Sequence, residues 1–457
     1  MYDVVVIGGG PAGYASALYA HNFGLKVALV EKERVGGTCL IRGCIPAKTW
    51  LQAAEVYHTV TKAGTFGVHV SGDVTFDWGA GLERKNKIVE GLVRGLSGLL
   101  KQRNVDVIDG FGRVSGPNQV TVSGDDGEQV VEGRHIVLAT GSVPRAIPNF
   151  DFDGVKVVSS DHALDWESQP ARVGIIGAGA IGCEFASLLA GLGSEVHVFE
   201  LMDQIVPGAD SDAAAELQKQ LKRRKIKFNV GVPVNPPQVT ESGVTLAWDG
   251  GSVEVDVVLV AVGRAPLTDG IGLESVGITV DRGHVHVDPA TQQTSVPNIY
   301  AVGDIVAGTP QLAHAGFAEA IAAITHIATG ESAAVDYRAI PLVVYTHPEM
   351  AEVGYSEAKA KEMGLDVETH DHSFLGVGRA QIQNTNQGKV KVVVEKGGPI
   401  VGASVVGPSA GELIHELMYI VGWEALPEEA AAFIHAHPTL SEAVGETLLA
   451  ATGKGLH

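Results

Sequence analysis

The sequence predicts an α/β chain: two copies of one strand–turn–helix–strand unit, then a C-terminal α+β domain. Three observations carry that prediction. A Gly-x-Gly-x-x-Gly turn at Gly8, Gly10 and Gly13 follows an apolar strand and precedes a helical run. The same arrangement returns at Gly177, Gly179 and Gly182. From about residue 338 onward the chain changes character and shows no third turn of this kind. Composition agrees: 45% of the residues are hydrophobic, only 6% are aromatic, and the 58 glycines have no collagen-like period, so they belong to tight turns.

Tyr2–Ile7 reads as a buried strand, and the glycine turn leads into a helical run over 14–23. A second strand over 25–30 ends at Glu31. Glycines here let the backbone approach a pyrophosphate at a helix N-terminus, and a carboxylate about 20 residues on meets ribose hydroxyls. Alone, the turn is weak evidence and reads equally as a glycine-rich loop. With strand, helix and terminal acid in place it predicts a Rossmann-like dinucleotide-binding domain.

Next comes Gly36-Gly37-Thr38-Cys39-Leu40-Ile41-Arg42-Gly43-Cys44-Ile45-Pro46-Ala47-Lys48, with two of the chain's three cysteines. Five positions along an ideal helix do not share a face, but Gly43 permits a distortion that brings the sulfurs together. A disulfide over so small a ring removes little chain entropy, so redox work is the better reading. A following lysine helps hold one sulfur as a thiolate. The plainer alternatives are buried structural cysteines or half of a zinc site. Zinc wants about four ligands and the chain holds no second Cys pair, so no metal is expected.

Helices are expected over 50–64 and 78–103, and a small antiparallel unit over 104–131. A strand over 135–138 runs into Ala139-Thr140-Gly141-Ser142, and Pro144 and Pro148 mark a boundary. Then the first pattern repeats: strand Arg172–Ile176, the second glycine turn, a helix through Leu192, and a strand ending at Glu200. The acid lies 18 positions after the last glycine in both copies, Gly13 to Glu31 and Gly182 to Glu200. Two accidents would rarely match so closely, so an internal repeat and two bound dinucleotides follow. Leu201 and Met202 after Glu200 offer no cation for a 2′-phosphate, so this half is expected to take NAD rather than NADP.

A buried strand is expected over 253–262, followed by Gly263 and Arg264. A further strand ends in Gly303-Asp304, where a carboxylate faces the ligand crevice of a doubly wound sheet or simply caps a turn or helix. The C-terminal domain is expected to alternate strands (Lys389–Glu395, 400–406) with helices (411–421, 427–433). Near its end stands His435-Ala436-His437-Pro438-Thr439-Leu440-Ser441-Glu442. Glu442 on one ring nitrogen of His437 would fix the tautomer and leave the other as a base; a histidine beside a proline is otherwise more often structural. His347-Pro348 is the competing pair and reads as a decoy.

The net charge of −20 argues against nucleic acid and anionic membranes as partners and favours a basic one. Three cysteines suit a reducing compartment. The strand opening at Tyr2 leaves no room for a signal peptide, and no apolar run reaches the roughly 18 residues of a membrane span. A cytoplasmic enzyme is expected.

Together these residues resemble the flavoprotein disulfide oxidoreductases over essentially the whole chain. The resemblance rests on the two glycine turns with Glu31 and Glu200, Gly-Gly-Thr-Cys39-x4-Cys44-x-Pro-x-Lys48, Ala139-Thr140-Gly141, the Gly303-Asp304 segment and the His437-Pro…Glu442 run. That run is most similar to the members acting on dihydrolipoyl groups. The resemblance implies FAD on Gly8, Gly10, Gly13, Glu31, Lys48, Thr140, Gly141 and Asp304, and NAD on Gly177, Gly179, Gly182, Glu184, Glu200 and Gly263. It implies a Cys39–Cys44 disulfide, with Cys39 exchanging with substrate, Cys44 against the flavin and hydride passing to NAD. Lys48 would stand by the reactive flavin nitrogen with Glu184 as its acid, and His437, steadied by Glu442, would take the thiol proton. Otherwise Lys48 is a surface lysine and Glu184 a helix-face acid; Cys183 reads as a small core residue.

The implied architecture is an FAD-binding domain over 1–143, an NAD-binding domain over 144–265, a central segment over 266–337 completing the FAD site, and a C-terminal dimerisation domain over 338–457. The implied partners are a second copy in a homodimer, lipoyl groups, and the acyltransferase core of 2-oxo acid dehydrogenase complexes. Ile41, Arg42 and Ala47 depart from the family pattern, and Arg42 is expected to add positive charge near the dithiol. Another FAD-dependent low-molecular-weight disulfide reductase, or a non-enzymatic redox-sensing flavoprotein, is the alternative reading.

Overall fold

Runs of Val, Ile and Leu with side chains covered on both faces build the first sheet, as expected of parallel strands flanked by helices. In the computed structural model, which describes residues 1–456, this sheet is seven-stranded. Strand Tyr2–Ile7 lies between Val27–Glu31 and Gly127–Leu138, parallel to both, with Val5 opposite Ala28 and Ile136. Strand Gly127–Leu138 is long enough to serve two neighbourhoods. Its first half pairs antiparallel with Gln119–Gly124, and its second half pairs parallel with Ile299–Ala301. Val4, Val5 and Val6 are fully buried, and helix Pro11–Ala20 covers one face through Ala17 and Ala20. This sheet belongs to one compact unit, made of Met1–Ala47, Leu82–Arg145 and Arg264–Tyr337.

The other unit comprises Lys48–Gly81, Ala146–Gly263 and Arg338–His457. It holds a five-stranded sheet in which Arg172–Ile176 lies between Glu195–Glu200 and Val257–Val260, all parallel. A second five-stranded sheet, antiparallel, carries Ile400–Gly407 at its centre, between Glu349–Gly354 and Lys389–Glu395. Helices Ala410–Gly422 and Glu442–Ala451 bury Ile414, Leu417, Val444 and Leu448 on it. Lys391, with a side chain only 3% exposed, donates to both Asp210 oxygens at 3.0 Å and to Asp212 at 2.8 Å. Removing Lys391 would leave the buried Asp210 carboxylate without its cation, at a cost of about 3–5 kcal/mol.

Several sequence expectations are corrected. The helix expected from residue 50 begins at Cys44 and ends at Thr61, and a separate short helix, Gly37–Arg42, precedes it. The strand expected over 253–262 is two strands, Gly251–Val255 and Val257–Val260. The break falls at Asp256, whose carboxylate accepts from Arg172 N at 2.8 Å and takes the Arg172 guanidinium. The strand leading to Asp304 covers only Ile299–Ala301. The helix begun at Pro427 stops at Ala430, leaving Phe433 and Ile434 exposed. Among the described residues no helix is long and apolar enough to cross a membrane.

Candidate active site

In the first unit the chain leaves strand Tyr2–Ile7 through Gly8. Its φ is +103°, and a Cβ there would fall 2.3 Å from Ala139 O, so only glycine serves. A Cβ on Gly13 would fall 1.8 Å from Gly8 O, so helix Pro11–Ala20 starts hard against the turn. No side chain caps that helix, and its first N–H groups stand ready for an anion. At the neighbouring strand end Glu31 Oε2 accepts from Gly9 N at 2.6 Å and Oε1 from Glu33 N at 2.9 Å. Burial raises the Glu31 carboxyl above its ordinary range although the Gly9 N–H pulls the other way. A turn clear of side chains, under a helix N-terminus and beside a carboxylate, fits the pyrophosphate and ribose of FAD.

Cys39 lies in helix Gly37–Arg42 and Cys44 opens helix Cys44–Thr61; both are half-buried. Gly43 between them, at φ −146° and ψ −108°, breaks what would be one continuous helix. Lys48 follows Cys44 by one turn of its helix. Burial, then the two cysteine sulfurs, push the Tyr14 phenol up to about 12. Arg42 does not direct an unanswered charge at the pair: its guanidinium is ion-paired with Glu33 at the surface.

Asp304 caps no helix. Its carboxylate accepts from Ser142 Oγ and lies 4.0 Å from Arg264 Nε. Arg264, 12% exposed at the side chain, donates to Ser142 Oγ at 2.7 Å, Ser142 O at 2.6 Å and Thr38 Oγ1 at 3.3 Å. Thr140 Oγ1 donates to Leu267 O at 2.5 Å, and Gly141 turns with φ +73°. Sequence reading placed Asp304, Thr140 and Gly141 in one site but missed Arg264, Ser142 and Thr38. The one available signal was the Gly-Arg-x-Pro segment closing the second repeat, which carries no spacing toward Asp304.

In the second unit the repeat is reproduced. Gly177 has φ +99° and stands 2.5 Å, at its Cβ position, from Ala261 O; Gly182 stands 2.0 Å from Gly177 O. Glu200, buried, accepts from Ala178 N at 2.7 Å and Met202 N at 2.9 Å. Leu201 and Met202 are exposed beside it. Gly179 and Gly263 have open space at their Cβ positions. The same cradle again fits a dinucleotide, here NAD.

Glu184, from the helix Ala180–Gly191, is 6% exposed. Both of its oxygens take the Lys48 ammonium at 2.8 Å, and one also accepts from Tyr345 N at 3.1 Å. Lys48 Nζ lies 4.6 Å from the centre of the Tyr345 ring, a contact sequence reading missed. Cys183 is fully buried, its thiol pushed up by burial and donating to Ala178 O at 3.2 Å, a core role.

His437 has a 77% exposed side chain, and its Nδ1 stands 2.8 Å from Glu442 Oε1. The other Glu442 oxygen accepts from Thr439 N at 2.8 Å. Burial pushes the Glu442 carboxyl up, but Thr439 N–H and the His437 ring outweigh it and hold the group below its ordinary range. An ionised Glu442 keeps the His437 hydrogen on Nδ1 and leaves Nε2 to accept a proton. His347 differs: burial first, then Arg224 and His58, push it down to about 4, and its ring contacts the His58 ring at 5.1 Å. Both His-Pro bonds are cis.

Two nucleotide cradles, a closely spaced cysteine pair and a carboxylate-held histidine define a dithiol oxidoreductase working with dinucleotides. Comparison with known proteins agrees. The model of the pyridine nucleotide-disulphide oxidoreductase family matches residues 2–320, and that of its dimerisation domain matches residues 340–448. The chain is 38% identical to dihydrolipoyl dehydrogenase of Bacillus subtilis over 472 aligned residues, covering 100% of this chain and 99% of that one. It is 41% identical to the mitochondrial dihydrolipoyl dehydrogenase of Dictyostelium discoideum, covering 100% and 95%. Among solved structures, LpdA of Mycobacterium tuberculosis superposes with a TM-score of 0.90 at 27% identity, covering 97% of this chain and 98% of that one. The chain belongs to the pyridine nucleotide-disulphide oxidoreductase family. It is an NAD-dependent flavoprotein oxidoreductase that uses FAD and NAD, and the dimerisation domain supports a homodimer.

Proposed function

We propose that the chain oxidises dihydrolipoyl groups of 2-oxo acid dehydrogenase complexes and delivers the electrons to NAD. The observation that carries this reading is the extent of the match. Relatives named dihydrolipoyl dehydrogenase align over the whole chain, from the dithiol to the His437 run. His437 Nε2 takes the proton of one substrate thiol, and the thiolate attacks Cys39 Sγ. The Cys39–Cys44 bond breaks and a mixed disulfide forms. The second substrate thiol closes the lipoyl disulfide and releases Cys39, leaving the cysteine pair reduced. FAD, when bound, relays two electrons from the pair to NAD⁺; NADH and one proton are the products. Lys48, held by Glu184, would supply a cation to the flavin when it is bound, and Glu442 holds His437 in the tautomer that accepts. In the homodimer His437 serves the partner's cysteine pair; its exposure and that of Phe433 and Ile434 support this. The acidic surface suits a basic docking domain on the acyltransferase core, and three cysteines suit the cytoplasm.

The test is enzymatic. The purified protein should be yellow and reduce lipoamide with NADH, not glutathione disulfide with NADPH. His437→Gln should lower the lipoamide-linked rate about 10²–10⁴-fold and spare NADH-dependent reduction of an artificial acceptor. Mixing a Cys44→Ser subunit with a His437→Gln subunit should restore one working site of two. Proven subunit exchange with no recovered activity would exclude the shared site, and a glutathione-specific activity would exclude the substrate.

A further inference from the structure

The segment that carries His437 is short of structure of its own. Helix Pro427–Ala430 ends before it and helix Glu442–Ala451 begins after it. From Phe433 to Pro438 every side chain is exposed except that of His435, which is 14% exposed and turns inward. His435 Nε2 donates to Glu416 Oε1 at 2.6 Å, and Glu416 sits within helix Ala410–Gly422. The ring's other edge lies against Gly445 of helix Glu442–Ala451: a Cβ there would fall 2.5 Å from His435 Nδ1 and 3.0 Å from Cε1. One ring thus spans two helices that bury their apolar faces in the same core.

We infer that His435, clamped between Glu416 and Gly445, is the positioning residue for His437. This rests on His437 being the proton acceptor. The rest of the segment's attachment is local: Thr439 N reaches Glu442, and Thr439 Oγ1 reaches Ala436 O at 2.7 Å. Glu442 therefore sets the tautomer of His437, while His435 sets where the base stands, two residues away along the chain. The two His–Glu pairs divide the work: the exposed one moves a proton, the covered one fixes a backbone. A bond to an ionised carboxylate in a partly covered place is strong enough for that task. A base displaced by about 1 Å loses roughly 10²-fold in rate, so such an anchor has a kinetic purpose beyond stability.

The test uses the FAD-loaded dimer. His435→Ala, Glu416→Ala and Gly445→Ala should each lower the lipoamide-linked kcat by roughly 10- to 100-fold with KM changed less than about threefold. NADH-dependent reduction of an artificial acceptor should stay near the unmodified rate in all three. Glu416→Gln keeps an acceptor for His435 and should recover most of the rate lost in Glu416→Ala. The double variant His435→Ala/Glu416→Ala should be no slower than the slower single one, because both remove one contact. Lipoamide turnover within twofold of unmodified in His435→Ala would overturn the inference. So would a parallel loss of both activities, which makes the pair a structural strut. If His437→Gln itself leaves lipoamide turnover intact, the underlying reading of the base has failed instead.

Discussion

The two glycine turns are built alike and enclosed differently. Both start from a left-handed glycine pressed on a carbonyl, Gly8 on Ala139 O and Gly177 on Ala261 O. Both end in a glutamate that takes two backbone N–H groups. Both are tied once more by a backbone bond, Gly36 N to Gly9 O and Val206 N to Ala178 O, each 2.7 Å. The difference lies at the middle glycine. Gly10 meets the Gly37 backbone at 3.8 Å, whereas Gly179 meets nothing within 4 Å. The first sheet also gains a strand, Ile299–Ala301, paired with Ile136 to Leu138, which delivers Asp304. The edge of the second gains only Val157–Val158, which runs into the short helix Ser160–Ala163. This contrast suits a resident FAD at the first turn and, at the second, an NAD that leaves every cycle.

The largest effect should come from breaking that enclosure. Gly37 has φ +56°, and its Cβ would stand 2.5 Å from Gly10 Cα, so Gly37→Ala forces the backbone of both segments to move. Strain of this kind costs on the order of 1–3 kcal/mol. FAD affinity, read from the flavin spectrum after dialysis, should fall roughly tenfold or more, and every activity with it. Gly179→Ala meets open space and should keep its flavin while only the KM for NADH changes. Equal flavin loss in both variants would show that the enclosure does not distinguish the two turns.

Next in size is cofactor choice at the open turn. Glu200→Gln with Leu201→Arg removes a carboxylate that repels a 2′-phosphate and supplies a cation at an exposed position. The ratio of kcat/KM for NADH over NADPH should fall about tenfold or more. Because Glu200 also holds Ala178 N and Met202 N, NADH itself should bind more weakly. An unchanged ratio would move the determinant elsewhere.

How far the sequence foresaw all this depends on the kind of residue. The repeated turns were legible because their constraints are local: a strand, three glycines and an acid at fixed spacing. The two helices at the cysteines were not. Gly36, Gly37, Gly43 and Pro46 read as loop formers, yet Pro46 falls in the first turn of Cys44–Thr61, where no backbone donor is needed. The Arg264–Ser142–Asp304 network joins positions 122 and 162 residues apart, beyond any periodicity. Lys48 and Glu184, 136 positions apart, were paired only through family resemblance.

That network gives a smaller prediction. Ser142→Ala removes the hydroxyl that donates to Asp304 and accepts from Arg264. Loss of one such bond to a charged group costs about 1.5–3 kcal/mol where the partner is left unsatisfied. Arg264 retains Ser142 O and Thr38, so the effect should lie at the low end: FAD dissociation faster by roughly tenfold, with the NADH KM unchanged. A shift in the NADH KM alone would place Ser142 with the open turn instead.

The smallest effect is one of pH, and it too belongs to the enclosed turn. Glu319 is fully buried beneath the Gly303 turn, accepting from Gly303 N at 2.5 Å and Tyr337 OH at 3.0 Å. Burial, with a smaller push from Asp304, raises its carboxyl from the ordinary 4.5 to about 7, against hydrogen bonds from Gly303, Tyr337 and Thr309. The folded state therefore holds this proton more tightly than the unfolded chain. Below pH 4.5 both states are protonated and the group has no net effect. Between 4.5 and about 7 the unfolded chain ionises first, so stability is lost as pH rises, by at most about 3 kcal/mol. Glu319→Gln carries no charge and keeps an acceptor for Gly303 N. Its melting temperature, compared with the unmodified protein, should be similar at pH 5 and higher by a few degrees at pH 8. Glu352, also pushed up to about 7 by burial, bends the pH profile of both proteins alike, so the difference between them is the quantity to read. A difference that stays flat from pH 5 to pH 8 would mean that Glu319 stays ionised throughout, and that the Gly303–Asp304 turn is held by charge rather than by a shared proton.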